Sequence, residues 1–402
     1  MKRLKIALLA GLVVASPLAA QQSEESENII VVTGQSLETT LKALEDCLAR
    51  GCPPEEDIRL SLAHAENLFV EGDYRDGRRT VLGSLKRTKK YADELPVPVS
   101  NLYRANSRIA EHLGEGKAFQ LSVLDMRDTL EDGLGEGDPR TLVAEIDVGD
   151  SRAKLGQPDD AERIYKRVEE RAIELGQPRV AMYARLRQVL LLQARYDSEK
   201  LPVYRDEMLE KLADIRNNPL QGAEEFSLIA DVLQAKFDRE SGDASSTEAL
   251  VQRFAEQGGV DRPVLLYSEP LMSDAARDAE AARAGSASAR LSTLSMNEPT
   301  WADIGFWIGP DGHVGDIEVL RNQGQSAWLK PIVQNIDKRV YAPVSKDSAT
   351  PGFYMIERYT LTSRFSSQTT GTRFRRREPG YRIERIDLTP ENYLPPGYAT
   401  ES

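Results

Sequence analysis

The sequence predicts an α+β, multidomain protein: an N-terminal α-helical-hairpin solenoid over residues 37–260, then a small αβ domain over 296–366 with a three-stranded antiparallel sheet. Three features carry this reading. From Leu37 to about Gly258, apolar residues recur at three- and four-residue steps in a background rich in Ala, Leu, Glu and Arg. Short glycine-centred turns punctuate that stretch, and Gly72, Gly114 and Gly156 stand 42 residues apart. From Trp301 the apolar period shortens to two, and the turn sequence Asp311-Gly312 separates two alternating runs. A chain of 402 residues is too long for one ordinary core and suits two domains.

Composition excludes several functions. Lys plus Arg number 52 against 64 Asp plus Glu, a net charge of −12, which opposes nucleic-acid partners. With three histidines (His64, His112, His313) and two cysteines, a His/Cys metal site cannot reach its usual ligand count. No nucleophile elbow, P-loop or dinucleotide fingerprint is present. The expectation is a non-enzyme with no catalytic, cofactor-binding or metal residues, no cofactor and no small-molecule substrate.

Taken in order, Lys2, Arg3 and Lys5 precede the apolar run Ile6 to Ala15 and then Pro17-Leu18-Ala19-Ala20. That layout predicts a signal peptide over 1–20, cleaved near Ala20. The run is short for a spanning helix, which needs about 20 apolar residues. Residues 21–36 read as a flexible N-terminus containing the β-branched run Ile29-Ile30-Val31-Val32 before Thr33. Leu37, Leu41, Leu44 and Leu48 mark a first helix; Gly51 suits its left-handed C-terminal position and Pro53-Pro54 stop it. Cys47 then lies in the last turn and Cys52 just beyond, so export to an oxidising compartment predicts a structural disulfide. Tyr74, Tyr103, Tyr165 and Tyr183 read as packing residues.

Past Asp197 the repeat register fades, although Met208, Leu212, Phe226, Ile229 and Leu233 still mark amphipathic helices. Residues 261–295 read as a linker, being Ala/Arg-rich and then Gly/Ser-loose. Strands are expected at Trp301–Ile308, Val314–Leu320 and Gly352–Phe365, with a helix over Ala327–Arg339. Residues 367–402, with Arg373-Phe374-Arg375-Arg376-Arg377 and a Pro-rich end, read as a tail.

The repeating unit, clearest at Leu155-Gly156-Gln157-Pro158-Asp159-Asp160-Ala161 with Tyr165 beyond, resembles the tetratricopeptide repeat in a 42-residue form. Ala118 and Ala161 stand at its small-residue position, Gly77 replaces that Ala in the first unit, and the family's Trp is absent. The resemblance implies a face that binds peptides or proteins. The segment 296–366 resembles the C-terminal domain of TonB energy transducers. Phe306, Asp311-Gly312, Val314, Ile317, Val319, Gly324, the helix and Tyr341-Ala342-Pro343 follow in that family's order. By the same likeness, Glu27 to Gly34 resembles the TonB box of outer-membrane receptors, making Ile29, Ile30, Val31, Val32 and Thr33 candidate protein-binding residues by strand addition.

Together these imply a non-enzymatic periplasmic interaction or scaffold protein linked to TonB-dependent transport, with receptors or a TonB-family transducer as partners. One alternative is a transducer component anchored in the inner membrane by an uncleaved N-terminal segment. Another is an envelope enzyme with its site in the solenoid groove.

Overall fold

The computed structural model describes residues 36–271, 299–345, 351–365, 377–378 and 380–390. The protein is α+β and mostly helical, with twelve α-helices and a small antiparallel sheet region among the described residues. The chain divides into two compact units, one reaching Ser227 and taking in Arg364 and Phe365, the other built on Leu228–Ser363.

The helical unit runs through α1 (Leu37–Arg50), α2 (Pro54–Val70), α3 (Tyr74–Thr88), α4 (Pro96–His112) and α5 (Gly116–Leu134). It continues with α6 (Pro139–Lys154), α7 (Pro158–Glu174), α8 (Pro178–Glu199) and α9 (Pro202–Asn217). Each helix packs on its sequence neighbour, while α2 also meets α4 and α6 meets α8. Proline opens α2, α4, α6, α7, α8 and α9, where its fixed φ suits the first turn and no amide bond is lost.

The 42-residue punctuation has a physical form. At Gly72, Gly114 and Gly156 φ is +81°, +72° and +78°. Each glycine closes the same C-terminal motif: Gly72 donates to Phe69 O (2.9 Å) and Asp73 to Leu68 O (2.8 Å), and the other two repeat this pattern. Gly77, standing where later units have Ala, lets α3 approach α2, since a Cβ there would sit 3.1 Å from the Ala65 carbonyl oxygen. Phe119, Val123, Met126 and Leu130 of α5 form a core with Ala110, Ala144 and Val148. Ala161, Tyr74, Tyr165 and Tyr183 are buried, while Ala118 and Tyr103 are half-buried.

The second unit takes in most of α10 (Glu225–Glu240), then α11 (Ser245–Glu256), β1 (Leu265–Tyr267), β2 (Thr300–Ile308) and β3 (Val314–Gln323). It ends with α12 (Leu329–Asp337), β4 (Val340–Tyr341), β5 (Phe353–Thr362) and β6 (Arg382–Asp387). The main sheet has the order β3-β2-β5-β6, with every neighbouring pair antiparallel. Ala302, Ile304, Phe306 and Ile308 point to one face of β2 and meet Leu329, Ile332 and Ile336 of α12 with Tyr341, Met355 and Tyr359. The β2–β3 turn depends on Gly312: its φ is +80°, and a Cβ would collide with the Tyr341 carbonyl, whose own amide donates to Gly312 O (2.8 Å).

The organisation departs from the sequence expectation in three places. The sheet has four strands rather than three, because β6 arises from the presumed tail and pairs with β5 from Glu357↔Asp387 to Thr362↔Arg382. The start of the presumed linker is also ordered, since β1 pairs with β4 and Val260 bridges Val344. Finally, the unit boundary falls near Ser227 rather than 260: Val232, Ala235, Leu250 and Phe254 pack with Val264, Leu266 and Ala342.

Candidate interaction surfaces

Cys47 and Cys52 form a disulfide, with their Cα atoms 5.1 Å apart. The geometry follows from the end of α1: Gly51 is left-handed at φ +66°, and Cys52 donates to Cys47 O (3.1 Å), folding the chain back over the last turn. Glu56 lies close to both sulfurs. Since those sulfurs are bonded to each other, they offer no thiolate to a cation. A disulfide fits an oxidising compartment, and no helix of the described residues is long and apolar enough to cross a membrane. Ile29, Ile30, Val31, Val32 and Thr33 lie outside the described residues, as do the proposed signal peptide and residues 391–402.

The histidines occupy packing and turn positions. His64 is buried, its Nδ1 3.2 Å from Thr40 Oγ1, and burial lowers its pKa. The His112 ring stacks edge-on against Phe69 at 4.9 Å and tilts against Tyr74 at 5.6 Å. His313 sits exposed in the β2–β3 turn.

Two features of the αβ unit stand out. The first is its sheet edge: β3 is an outer strand of the main sheet and has no further strand beside it among the described residues. Val319 and Leu320 on it are 43% and 39% exposed. An open edge with apolar side chains is a template for strand addition. The second is a pair of buried ion networks on opposite faces of β5. Arg358 donates to Asp303 Oδ1 at 2.6 Å and to Oδ2 at 2.8 Å, lies 4.0 Å from the Trp301 ring centre, and shares Asp303 with Arg321 (2.7 Å). The neighbouring Glu357 points the other way and accepts from Arg339 (2.8 Å), Arg385 (3.3 Å) and the Tyr359 hydroxyl. Burial pushes the Glu357 carboxyl up, but the Arg339 and Arg385 charges outweigh it and hold it below the usual range.

The helical unit carries its charges differently. Ion pairs tie one helix to the next: Arg87 to Asp57 (2.6 Å), Arg127 to Glu145 (2.9 Å), and Arg185 to Glu169 (2.7 Å) and Asp214 (2.7 Å). Others join alternate helices, namely Lys154 of α6 to Glu111 of α4 (2.5 Å) and Arg187 of α8 to Asp150 of α6 (2.5 Å). Tyr165 donates to Asp150 at 2.6 Å, so Asp150 has three donated hydrogen-bond and ion contacts from α7 and α8.

Between these pairs lies a group with unspent hydrogen-bonding capacity. Arg104 and Arg108 are one turn apart on α4 and couple electrostatically to Asp147 of α6. Among the described residues, the side chains of Arg108 and Asp147 make no hydrogen bond or ion pair, and Arg104 has only its Nε bond to the Met126 sulfur (3.3 Å). Burial pushes Asp147 up to about 6; the arginines Arg104, Arg108 and Arg187 oppose this, whereas Asp150 adds to it. Burial, with Arg104 beside it, pushes Arg108 down to about 10. All three side chains are half-buried, so solvent reaches them. The sequence marked one member of this cluster: Arg108 stands 42 residues from Glu66 and from Asp150, the spacing of the turn glycines.

No known protein family matches the chain, and no curated protein matches it. Among solved structures, it is similar to "Crystal structure of BtubC (BKLC) from P. vanneervenii", with 14% identity and a TM-score of 0.40, covering 55% of this chain and 89% of that one. A likeness this loose assigns neither family nor function.

Proposed function

We propose that this chain is a non-enzymatic protein of the bacterial envelope that holds protein partners, linked to TonB-dependent outer-membrane transport. Its helical hairpins, tetratricopeptide-like in sequence, form the scaffold. The αβ unit, TonB-like in the order of its sequence motifs, receives an extended segment on its sheet edge. The observation that carries this reading is the outer edge of β3, with Val319 and Leu320 exposed on it. Strand addition there supplies main-chain hydrogen bonds for affinity and alternating side chains for register. The segment Ile29 to Thr33 has the matching chemistry, a β-branched run in polar surroundings. The protein acts in the periplasm after loss of residues 1–20, where the Cys47–Cys52 disulfide persists.

The test uses a tagged synthetic peptide of residues 27–34 and full-length protein carrying a photo-crosslinking side chain at Leu320 or, as a control, at Leu82 of the helical unit. The expected result is a crosslink from position 320 alone, competed by unlabelled peptide. Equal labelling at both positions, or none at 320, sinks the proposal.

A further inference from the structure

We propose that Arg104 and Arg108 of α4, facing Asp147 of α6 and Tyr183 of α8, form a binding site for a carboxylate group. The four residues belong to one layer of alternate helices in the helical unit, joined through Lys154–Glu111 and Arg187–Asp150. Arginine 104 and arginine 108 lie at i and i+4, so both guanidinium groups leave the same face of α4. Asp147 and Asp150 stand at i and i+3 on α6, and Tyr183 and Arg187 at i and i+4 on α8. The Arg187–Asp150 pair (2.5 Å) thus brings those two faces together, as Lys154–Glu111 (2.5 Å) does for α6 and the Arg108 side of α4.

The donors are unspent. Buried or half-buried arginines ordinarily find an acceptor, because an unpaired guanidinium loses hydration without return. Other half-buried arginines of the unit conform: Arg127, Arg185 and Arg187 each hold a carboxylate at 2.5–2.9 Å, and Arg152 donates to the Gln157 side-chain oxygen at 3.0 Å. Arg108 holds none among the described residues, and Arg104 offers its outer nitrogens to none. Two guanidinium forks match a carboxylate that takes paired N–H donors from them.

The surrounding charges select a monoanion. Asp147 and Asp150 stand beside the arginines, and Glu66 and Glu111 lie within reach of Arg108's field, so a multiply charged phosphate meets repulsion. Asp147, faced by Arg104, Arg108, Asp150, Arg187 and Tyr183, holds its proton up to about pH 6. A second negative charge brought beside it favours the protonated form further, which then donates to the ligand. Binding therefore takes up a proton, and affinity rises as the pH falls towards 6. This site lies in the helical unit and goes beyond the strand-addition reading of β3.

Calorimetric titration of the full-length protein with three probes tests it. They are N-acetylglycine, an N-acetylated hexa-alanine peptide with a free C-terminal carboxylate, and the same peptide amidated. Binding of the first two with equal affinity assigns a free small carboxylate; tighter binding of the peptide acid assigns a peptide terminus. The amidated peptide should bind at least about tenfold more weakly than the acid. Arg108→Gln and Arg104→Gln should each lose about tenfold or more, with the helical circular dichroism and melting unchanged. Asp147→Asn should abolish the pH dependence between about pH 7 and 6 while leaving binding intact. No binding of either acid, equal binding of the amide, or unaltered affinity in Arg108→Gln overturns the site. None of these results bears on the crosslink at Leu320, so the two proposals fail separately.

Discussion

The two units handle charge in opposite ways. The helical unit keeps its ion pairs partly wet: in the Arg87–Asp57 pair the arginine is 39% exposed, and in Arg127–Glu145 it is 27% exposed. The αβ unit submerges its pairs, with Arg339, Arg358, Asp303 and Glu357 all buried. The difference follows from architecture. A stack of hairpins buries a stripe of each helix and leaves its long side chains to reach water at the margins. In the small sheet, both faces of β2 and most of β5 are covered, so any charge on them is inside. A buried pair is costly to desolvate and costlier to break, whereas a wet pair matters little either way. The αβ unit should therefore be brittle to single charge deletions and the helical unit tolerant of them.

Each unit can be followed separately, because Trp301, Trp307 and Trp328 are the chain's tryptophans and all lie in the αβ unit. Tryptophan fluorescence thus reports that unit, and helical circular dichroism mainly the other. The largest effect is expected for Arg339→Ala, which leaves Glu357 buried without its main partner. It should destabilise the αβ unit by about 3–5 kcal/mol on denaturant titration followed by fluorescence. A loss under about 1 kcal/mol would mean the network is not the brittle element.

Gly312→Ala comes next, at about 3 kcal/mol, since it forces a Cβ onto the Tyr341 carbonyl at a left-handed position. The fluorescence transition should shift while the helical signal holds. In the helical unit, opening the disulfide by Cys47→Ala with Cys52→Ala should cost about 2 kcal/mol in the chain-entropy account, because the loop it closes is short. The shift should match that of the unaltered protein in reductant.

Asp147→Asn should act in the other direction. Its carboxyl, raised from 3.8 to about 6, penalises the folded state once ionised, so stability is present below the ordinary value and lost as pH rises through 6. The substitution should stabilise by roughly 1 kcal/mol near neutrality, after discounting for partial exposure, with no gain below about pH 4. A gain independent of pH would refute that origin. Smallest of all, Lys42→Ala should cost about 0.3 kcal/mol, because the Lys42–Asp46 pair is 73% and 65% exposed.

The open edge of β3 was legible only in part. Val314, Ile317 and Val319 mark a strand by their spacing, but whether a strand is an edge depends on its neighbours, which no local pattern records. The Arg104–Arg108–Asp147 cluster was less legible, because charges on a helix read by default as a solvated face. Only Arg108, 42 residues from both Glu66 and Asp150, shared the spacing of the turn glycines, and nothing local distinguishes a spent arginine from an unspent one.

Local chemistry alone determined the helices and their ends. Pro at the first turn, Gly at the left-handed terminus and the three-to-four apolar step act within a few residues, so they are readable in the chain. The same locality made the Cys47–Cys52 bridge readable, since five residues and one Gly51 turn suffice to bring the sulfurs together. Tertiary structure decided the rest. β6 is an edge strand whose Arg382, Glu384, Arg385 and Asp387 read as a polar tail until β5 supplies its hydrogen bonds. β1 is three residues long, too short to show a period, and exists because β4 pairs with it. The division near Ser227 arises because α10 and α11 bury their apolar faces against Val264, Leu266 and Ala342, distant in sequence. Those are non-local contacts, and a pattern read along the chain has no access to them.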